Sequence, residues 1–221
     1  VDDAIVKLST DGEILYEKSV SQIFIDNGLE YLLFSSGGGT FIKDPIHLND
    51  IQPVDINGEF WKKGDLFLSM RHISTIMLYR PSTDKVIWYK QSGWNYQHDV
   101  DIINEHQILV FDNNVKWHKK TSNELKLIKY DFKNKNISED YKNLLNDNDV
   151  KTKGEGLQET VDEDIFIEEN NYARLIFGDK LGNIKWEYIN RAKNGNLYRL
   201  NWSSILKKDD FDETIKILKN S

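Results

Sequence analysis

Apolar residues alternate with polar ones in short runs along this chain, and the same arrangement returns four times. The stretches AIVKLSTDGEILY (residues 4 to 16), IMLYRPSTDKVIW (76 to 88), LKLIKYDFKNKNI (125 to 137) and RLIFGDKLGNIKW (174 to 186) each place a period-two run on either side of a polar turn. That pattern predicts four β-hairpins, with Asp11-Gly12, Thr83-Asp84, Asn134 to Asn136 and Leu181-Gly182-Asn183 as their turns.

Between the hairpins a second pair of strands recurs. A polar couplet opens the first strand (Asn49-Asp50, His98-Asp99, Gln158-Glu159), and a strongly apolar strand follows: DLFLSMR (65 to 71), QILVFDN (107 to 113) and DIFIEEN (164 to 170). Trp88 and Trp186 stand 98 residues apart, and Asp50 and Asp99 stand half that distance apart. A unit of about 50 residues holding four strands is the signature of a β-propeller blade. The pattern therefore predicts an all-β chain, 1–221 forming one partial β-propeller domain of about three blades plus a leading hairpin. Because propellers close with about four to eight blades, the expectation is a C-terminal portion of a ring whose other blades precede Val1. A β-sandwich or an open meander is the alternative. The tail YRLNWSSIL and the charged run Lys207 to Asp212 are expected to close the ring or to form a short helix.

Composition narrows the chemistry. With 36 acidic against 29 basic residues and a net charge of -7, the chain lacks the clustered Lys and Arg of a nucleic-acid binder. Cysteine is absent, which excludes disulfides, thiolate catalysis and Cys-ligated zinc. No apolar run is long enough for a membrane-spanning helix, and no segment resembles a signal peptide. Ser36-Gly37-Gly38-Gly39-Thr40 lacks the Lys-Ser/Thr ending of a phosphate loop and reads as a turn between blades. Asn146 to Asp149 lacks the glycine and terminal glutamate of an EF-hand and reads as a solvated loop. No cofactor or metal motif stands out.

Inner strands of a propeller converge on a central channel, so the couplets become the candidate site. Asn49, His98 and Gln158 are expected at equivalent positions, with His47 on the same side of its strand two residues before Asn49. Arg71, ending the next strand, is placed to reach the same mouth. A polar residue at a strand start also commonly serves only its turn, and His72, His106 and His118 read as ordinary surface or turn residues.

The ordered set His47-Leu48-Asn49, Ser69-Met70-Arg71, Trp88, Gln97-His98 and Asp112-Asn113 resembles the bacterial aryl sulfotransferases that work without a nucleotide sulfate donor. The resemblance runs through most of the chain and is densest from 44 to 113. It implies a six-bladed propeller, a periplasmic or secreted location and no cofactor. It further implies transfer of a sulfuryl group from a phenolic sulfate ester to a phenolic acceptor through a sulfohistidine. His98 would be the nucleophile, with Arg71 and Asn49 as donors to the sulfuryl oxygens and His47 as donor or proton carrier. Trp94 and Tyr96 are read either as walls for the aromatic ring or as packing between blades, and Asp99 or a backbone carbonyl as the group fixing the His98 tautomer. A non-catalytic propeller binding a protein or small anion in its channel is the alternative. A hydrolase releasing sulfate would use the same residues as the transferase.

Overall fold

The computed structural model describes residues 2–34, 44–115, 123–206 and 208–220. In chain order, β1 (Ala4–Leu8) and β2 (Ile14–Ser19) form a hairpin, followed by α1 (Val20–Asp26) and α2 (Glu30–Leu33). Next come β3 (Leu48–Pro53), β4 (Leu66–Met70), β5 (Thr75–Arg80) and β6 (Lys85–Lys90), then β7 (Val100–Asn104), β8 (Gln107–Asp112) and the two-residue β9 (Asn123–Glu124). They are followed by β10 (Lys126–Asp131), β11 (Asn136–Asp140), α3 (Lys142–Asp147) and β12 (Lys151–Thr152). The last elements are β13 (Leu157–Val161), β14 (Asp164–Glu169), β15 (Arg174–Gly178), β16 (Ile184–Ile189) and α4 (Lys208–Asn220). The Gly-rich stretch 36 to 40, His118 and Lys207 lie outside the described residues.

Three antiparallel sheets of four strands carry the fold, ordered β3-β4-β5-β6, β7-β8-β10-β11 and β13-β14-β15-β16; β1-β2 and β9-β12 are two-stranded. All four hairpins expected from the alternation are present, and the strands after the couplets are β4, β8 and β14. Those three strands sit second in their sheets with both faces covered, which is why they read as nearly continuous apolar runs.

Side-chain alternation along them stacks the sheets face to face. Leu68 and Met70 of β4 pack against Ile5, Val20, Ile23 and Phe24 of the leading hairpin and α1. Phe67 of β4 joins Val100, Ile108 and Val110 of the second sheet. Leu109 and Phe111 of β8 turn the other way, onto Ile165 and Ile167 of the third sheet. Each interface is a separate apolar layer, so no sheet buries its faces alone.

The first strands β3, β7 and β13 are held edge to edge by carboxylates. Asp50 Oδ2 accepts the Val100 N–H at 3.1 Å and Asp99 Oδ2 accepts the Gln158 N–H at 2.8 Å. Glu159 Oε2 accepts the Ile205 N–H at 3.0 Å, bringing the C-terminal segment alongside β13. Acidic residues recur near each inner-strand start because the next strand presents a backbone donor there.

Of the two readings of the C-terminal segment, the helix holds for the charged run, whose residues from Lys208 onward lie in α4, while residues 199 to 206 form no strand. One expectation shifts. Asn146 and Asp147 close α3, and the Asn148 side chain bonds Leu144 O at 2.9 Å and Gly182 O at 3.0 Å, so this stretch is tied down. No helix among the described residues is long and apolar enough to cross a membrane.

Candidate active site

A cavity of about 610 Å³ opens beside the first strands, and His47, Asn49 and His98 are on its wall together with Asp50, Asp99 and Gln158. Two β-bulges aim the side chains. In β3 the pairing passes from Leu48 opposite Met70 to Asp50 opposite Ser69, leaving Asn49 as the extra residue. At the head of β7, His98 N donates to Phe111 O while Phe111 N donates to Asp99 O, both at 2.9 Å, so His98 and Asp99 share one partner. Bulges redirect side chains out of the pleat, and here matching bulges in adjacent sheets turn Asn49 and His98 to one space.

Gln158 departs from the expected equivalence. Leu78 faces Trp88 as Phe177 faces Trp186, and through that register Gln158, opposite Ile167, is the counterpart of Ile51, opposite Leu68. The offset from Asn49 to Ile51 spans two residues and includes a bulge that β13 lacks, so Gln158 stays in the pleat; it borders the cavity, and its Nε2 reaches back to Leu109 O at 3.1 Å.

His98 has a defined tautomer. Its Nδ1 lies 2.5 Å from Asn113 Oδ1, and Asn113 Nδ2 donates to Thr152 Oγ1 at 2.7 Å and to the Glu155 carbonyl at 3.2 Å. A carbonyl only accepts, so the amide nitrogen must face Glu155 and the amide oxygen must face His98. Nδ1 therefore carries the proton and Nε2 the lone pair. Burial lowers the His98 pKa to about 4, with the hydrogen bond to Asn113 opposing it and the charges of Arg71 and His47 adding to it. The imidazole is thus neutral through the physiological range. Asn113, at the end of the second apolar strand, fixes the ring in place of the expected Asp99, and a hydrogen bond to the Tyr96 backbone also acts on it.

Arg71 follows β4 and is anchored through its backbone N–H to His47 O at 3.0 Å. Its guanidinium carbon stands 5.0 Å from the centre of the Tyr96 ring, and its Nε is buried without a hydrogen-bond partner. Among the described residues no carboxylate forms an ion pair with it, and burial lowers its pKa. The side chain is half-buried and not on the cavity wall, the charges of Asp44 and Glu155 act on it, and the unpartnered Nε is one unsatisfied donor.

His47 is held by Asp44, whose Oδ1 accepts the His47 N–H at 3.1 Å and whose Oδ2 contacts His47 Nδ1. Burial pushes the Asp44 carboxyl up, but hydrogen bonds from His47 and the nearby charges of His47 and His72 bring it below its ordinary value. The His72 ring stacks on His47 with centroids 4.5 Å apart, and its Nδ1 lies 2.6 Å from Asp44 O. His72 is therefore part of this cluster and not an ordinary turn residue. Asp44, His47 and His72 hold their ligand-type atoms within 4.8 Å of one another. Nearly parallel stacked rings do not converge on one ion as tetrahedral coordination requires, and Asp44 oxygens already occupy both Nδ1 atoms.

Trp94 is only 5% exposed, belongs to the apolar layer between the first two sheets, and donates its indole N–H to Ser74 O at 3.0 Å. It does not line the cavity; packing accounts for it. Tyr96 lies between Arg71 and the edge of the His72 ring, 6.4 Å between centroids. Asn49 Nδ2 donates to Gln97 O at 3.2 Å, tying the two bulges together.

With this geometry the sequence comparison is decisive: the pattern of the family described as Arylsulfotransferase (ASST) matches residues 1–191. The chain belongs to the arylsulfotransferase family. No curated protein matches it. Among solved structures, apo AztD from Citrobacter koseri is similar at 13% identity with a TM-score of 0.33, over 56% of this chain and 31% of that one. The chain thus spans about a third of that protein's length. For a member of this family, the notable arrangement is a neutral histidine on which the charge of a half-buried guanidinium acts, the two contributed by segments of neighbouring sheets.

Proposed function

We propose that this chain is a partial β-propeller of about three blades plus a leading hairpin, carrying the sulfuryl-transfer site of an arylsulfotransferase. The donor would be a phenolic sulfate ester and the acceptor a phenol, in a periplasmic or secreted setting. The observation that carries the reading is a neutral His98 on the cavity wall, its lone pair on Nε2, with the Arg71 guanidinium near enough for its charge to act on it.

In the first step His98 Nε2 attacks the sulfur, forming the N–S bond as the S–O bond to the ring breaks. The electron pair leaves on the phenolate oxygen, which takes a proton from His47. The sulfohistidine ring then carries positive charge, and Nδ1–H to Asn113 Oδ1 becomes a charge-assisted bond. In the second step the acceptor phenol returns a proton to His47 as its oxygen attacks the sulfur, forming O–S and breaking N–S. Arg71 and Asn49 donate to the sulfuryl oxygens, which remain anionic throughout. The Asp44 carboxylate stabilises His47 while it holds the extra proton.

The test is incubation of the protein with 4-nitrophenyl sulfate and a phenol, following nitrophenol release, with mass spectrometry of the peptide containing His98 after donor alone. Release that His98→Ala abolishes, together with a sulfuryl adduct on that peptide, is expected. Undiminished release by His98→Ala, or none from the unaltered protein, would overturn the reading.

A further inference from the structure

An aromatic substrate needs an apolar surface to lie on, and the cavity offers little. Beside the two imidazoles its wall is made of carboxylates, amides, hydroxyls and a glycine; among the described residues Leu157 and Trp202 are the only large apolar side chains on it. Trp94 is committed to packing between the first two sheets. The indole that borders the cavity is that of Trp202.

Trp202 belongs to the segment that follows the third sheet, and that segment is fastened on both sides of it. Asn170 Nδ2 donates to Leu200 O and to Asn201 Oδ1, Glu168 Oε2 accepts the Ser203 N–H at 2.7 Å, and Glu159 Oε2 accepts the Ile205 N–H at 3.0 Å. Glu168 and Asn170 are themselves buried, so the segment is tied to the packed body of the protein. Between these anchors Trp202 has φ +60°, in the left-handed region that a residue with a side chain adopts at a cost. Trp202 is nevertheless 78% exposed, so no core packing offsets that conformation. A single exposed apolar side chain is ordinary. One held in a costly backbone geometry, on the wall of a cavity shared with His98, points to a ligand.

Its placement agrees. Asn201, Ser203 and Ser204 border this cavity, whereas Trp202 also borders a second hollow formed by Asp3, Ala4, Leu48, Asn49, Asp50 and Ile51. Its backbone neighbours are tied to the third sheet while Trp202 reaches the first strand of the first sheet. It therefore stands across the mouth from His98, which comes from the sheet between, and Asn49 borders both hollows.

We propose that Trp202 is the platform on which the aromatic ring of the substrate stacks, with the oxygen on that ring directed to His98. The inference deepens the sulfotransferase reading and rests on it for the identity of the ligand. Aryl sulfate and acceptor phenol come in turn before the same nucleophile, so one platform serves both. A fused ring covers more of an indole than a single ring does, which makes extended phenols and their sulfates the preferred substrates.

The test compares 2-naphthol with phenol by calorimetry on the unaltered protein, on Trp202→Ala and on Trp202→Phe. The unaltered protein should bind 2-naphthol about tenfold more tightly than phenol. Trp202→Ala should weaken 2-naphthol about three- to tenfold and phenol by less, and Trp202→Phe should restore part of the loss. In turnover, Trp202→Ala should raise KM for 4-nitrophenyl sulfate and for the phenol by similar factors with little change in kcat, because stacking acts alike on ground and transition states. Tm should change little, since the residue is exposed. Undiminished 2-naphthol affinity in Trp202→Ala, or no preference for 2-naphthol in the unaltered protein, would overturn the proposal. So would a loss of affinity that comes with a lowered Tm and is not restored by Trp202→Phe, which would make the residue structural. Absence of nitrophenol release from the unaltered protein would defeat the sulfotransferase reading, and the binding comparison would still decide this one.

Discussion

Asn113 Oδ1 stands 2.5 Å from His98 Nδ1, and the Glu155 carbonyl behind Asn113 Nδ2 prevents the amide from turning over. An amide oxygen orients the ring without adding charge, so burial still keeps the histidine neutral. Asn113→Asp places an anion there and favours the imidazolium. The His98 titration, near pH 4 in the unaltered protein, should move up toward the ordinary value of 6.5. The acid limb of kcat/KM for aryl sulfate should move with it, giving a loss of about tenfold or more at pH 5 and a much smaller one at pH 8. Imidazole ¹⁵N shifts and a pH-rate profile check both.

Arg71 predicts a separation of activity from stability. Arg71→Ala should lower kcat/KM by about 10²–10³, the usual effect of removing a donor to a developing anion. Tm should change little, because the half-buried guanidinium forms no ion pair among the described residues and its Nε is unpartnered. Arg71→Lys should recover only part of the rate, since a point charge does not reproduce the planar fork. Steady-state kinetics beside thermal melts would read all three.

Asp44 and His47 make a second hydrogen-bonded pair. Asp44→Asn keeps the hydrogen-bond reach and removes the charge that supports protonated His47. The rate for donors with poor phenolate leaving groups should fall by about tenfold or more, while 4-nitrophenyl sulfate, whose phenolate leaves readily, should be less affected. A plot of rate against leaving-group pKa should therefore steepen; an unchanged slope would remove His47 from proton transfer.

Trp94 distinguishes packing from substrate contact. Trp94→Phe loses the bond to Ser74 O and leaves unfilled volume in the layer between the first two sheets, so stability should drop by about 2 kcal/mol. KM for aromatic donors should stay as it was. Chemical denaturation and donor kinetics on the same preparation test the assignment.

Asp99 links the acidic cavity wall to stability. Burial, followed by the charges of Asp101 and Asp50, raises its pKa well above the ordinary value. The folded state therefore holds a proton that the unfolded chain releases near pH 3.8, and stability is lost as pH rises from there through the folded pKa. Asp99→Asn keeps an acceptor for the Gln158 N–H and should raise Tm by about 2–4 °C at pH 8, with little change at pH 4. Scanning calorimetry at the two pH values is sufficient.

The sequence by itself determined the four hairpins, the three buried second strands and the family, because period-two alternation and turn residues are local properties that any sheet of this kind must obey. It also brought out His47, Asn49, Arg71 and His98 by their order along the chain. Tertiary structure alone decided the rest. That Gln158 Nε2 reaches back to β8 follows from the absence in β13 of the bulge that turns Asn49 out of β3, and pairing between strands cannot be read from either strand alone. That Trp94 serves the core, that His72 stacks on His47, and that Asn113 fixes the His98 tautomer depend on which segments meet across adjacent sheets. The charge state of His98 and the unpartnered Nε of Arg71 are likewise set by burial, which belongs to the packed assembly of sheets and not to any single residue.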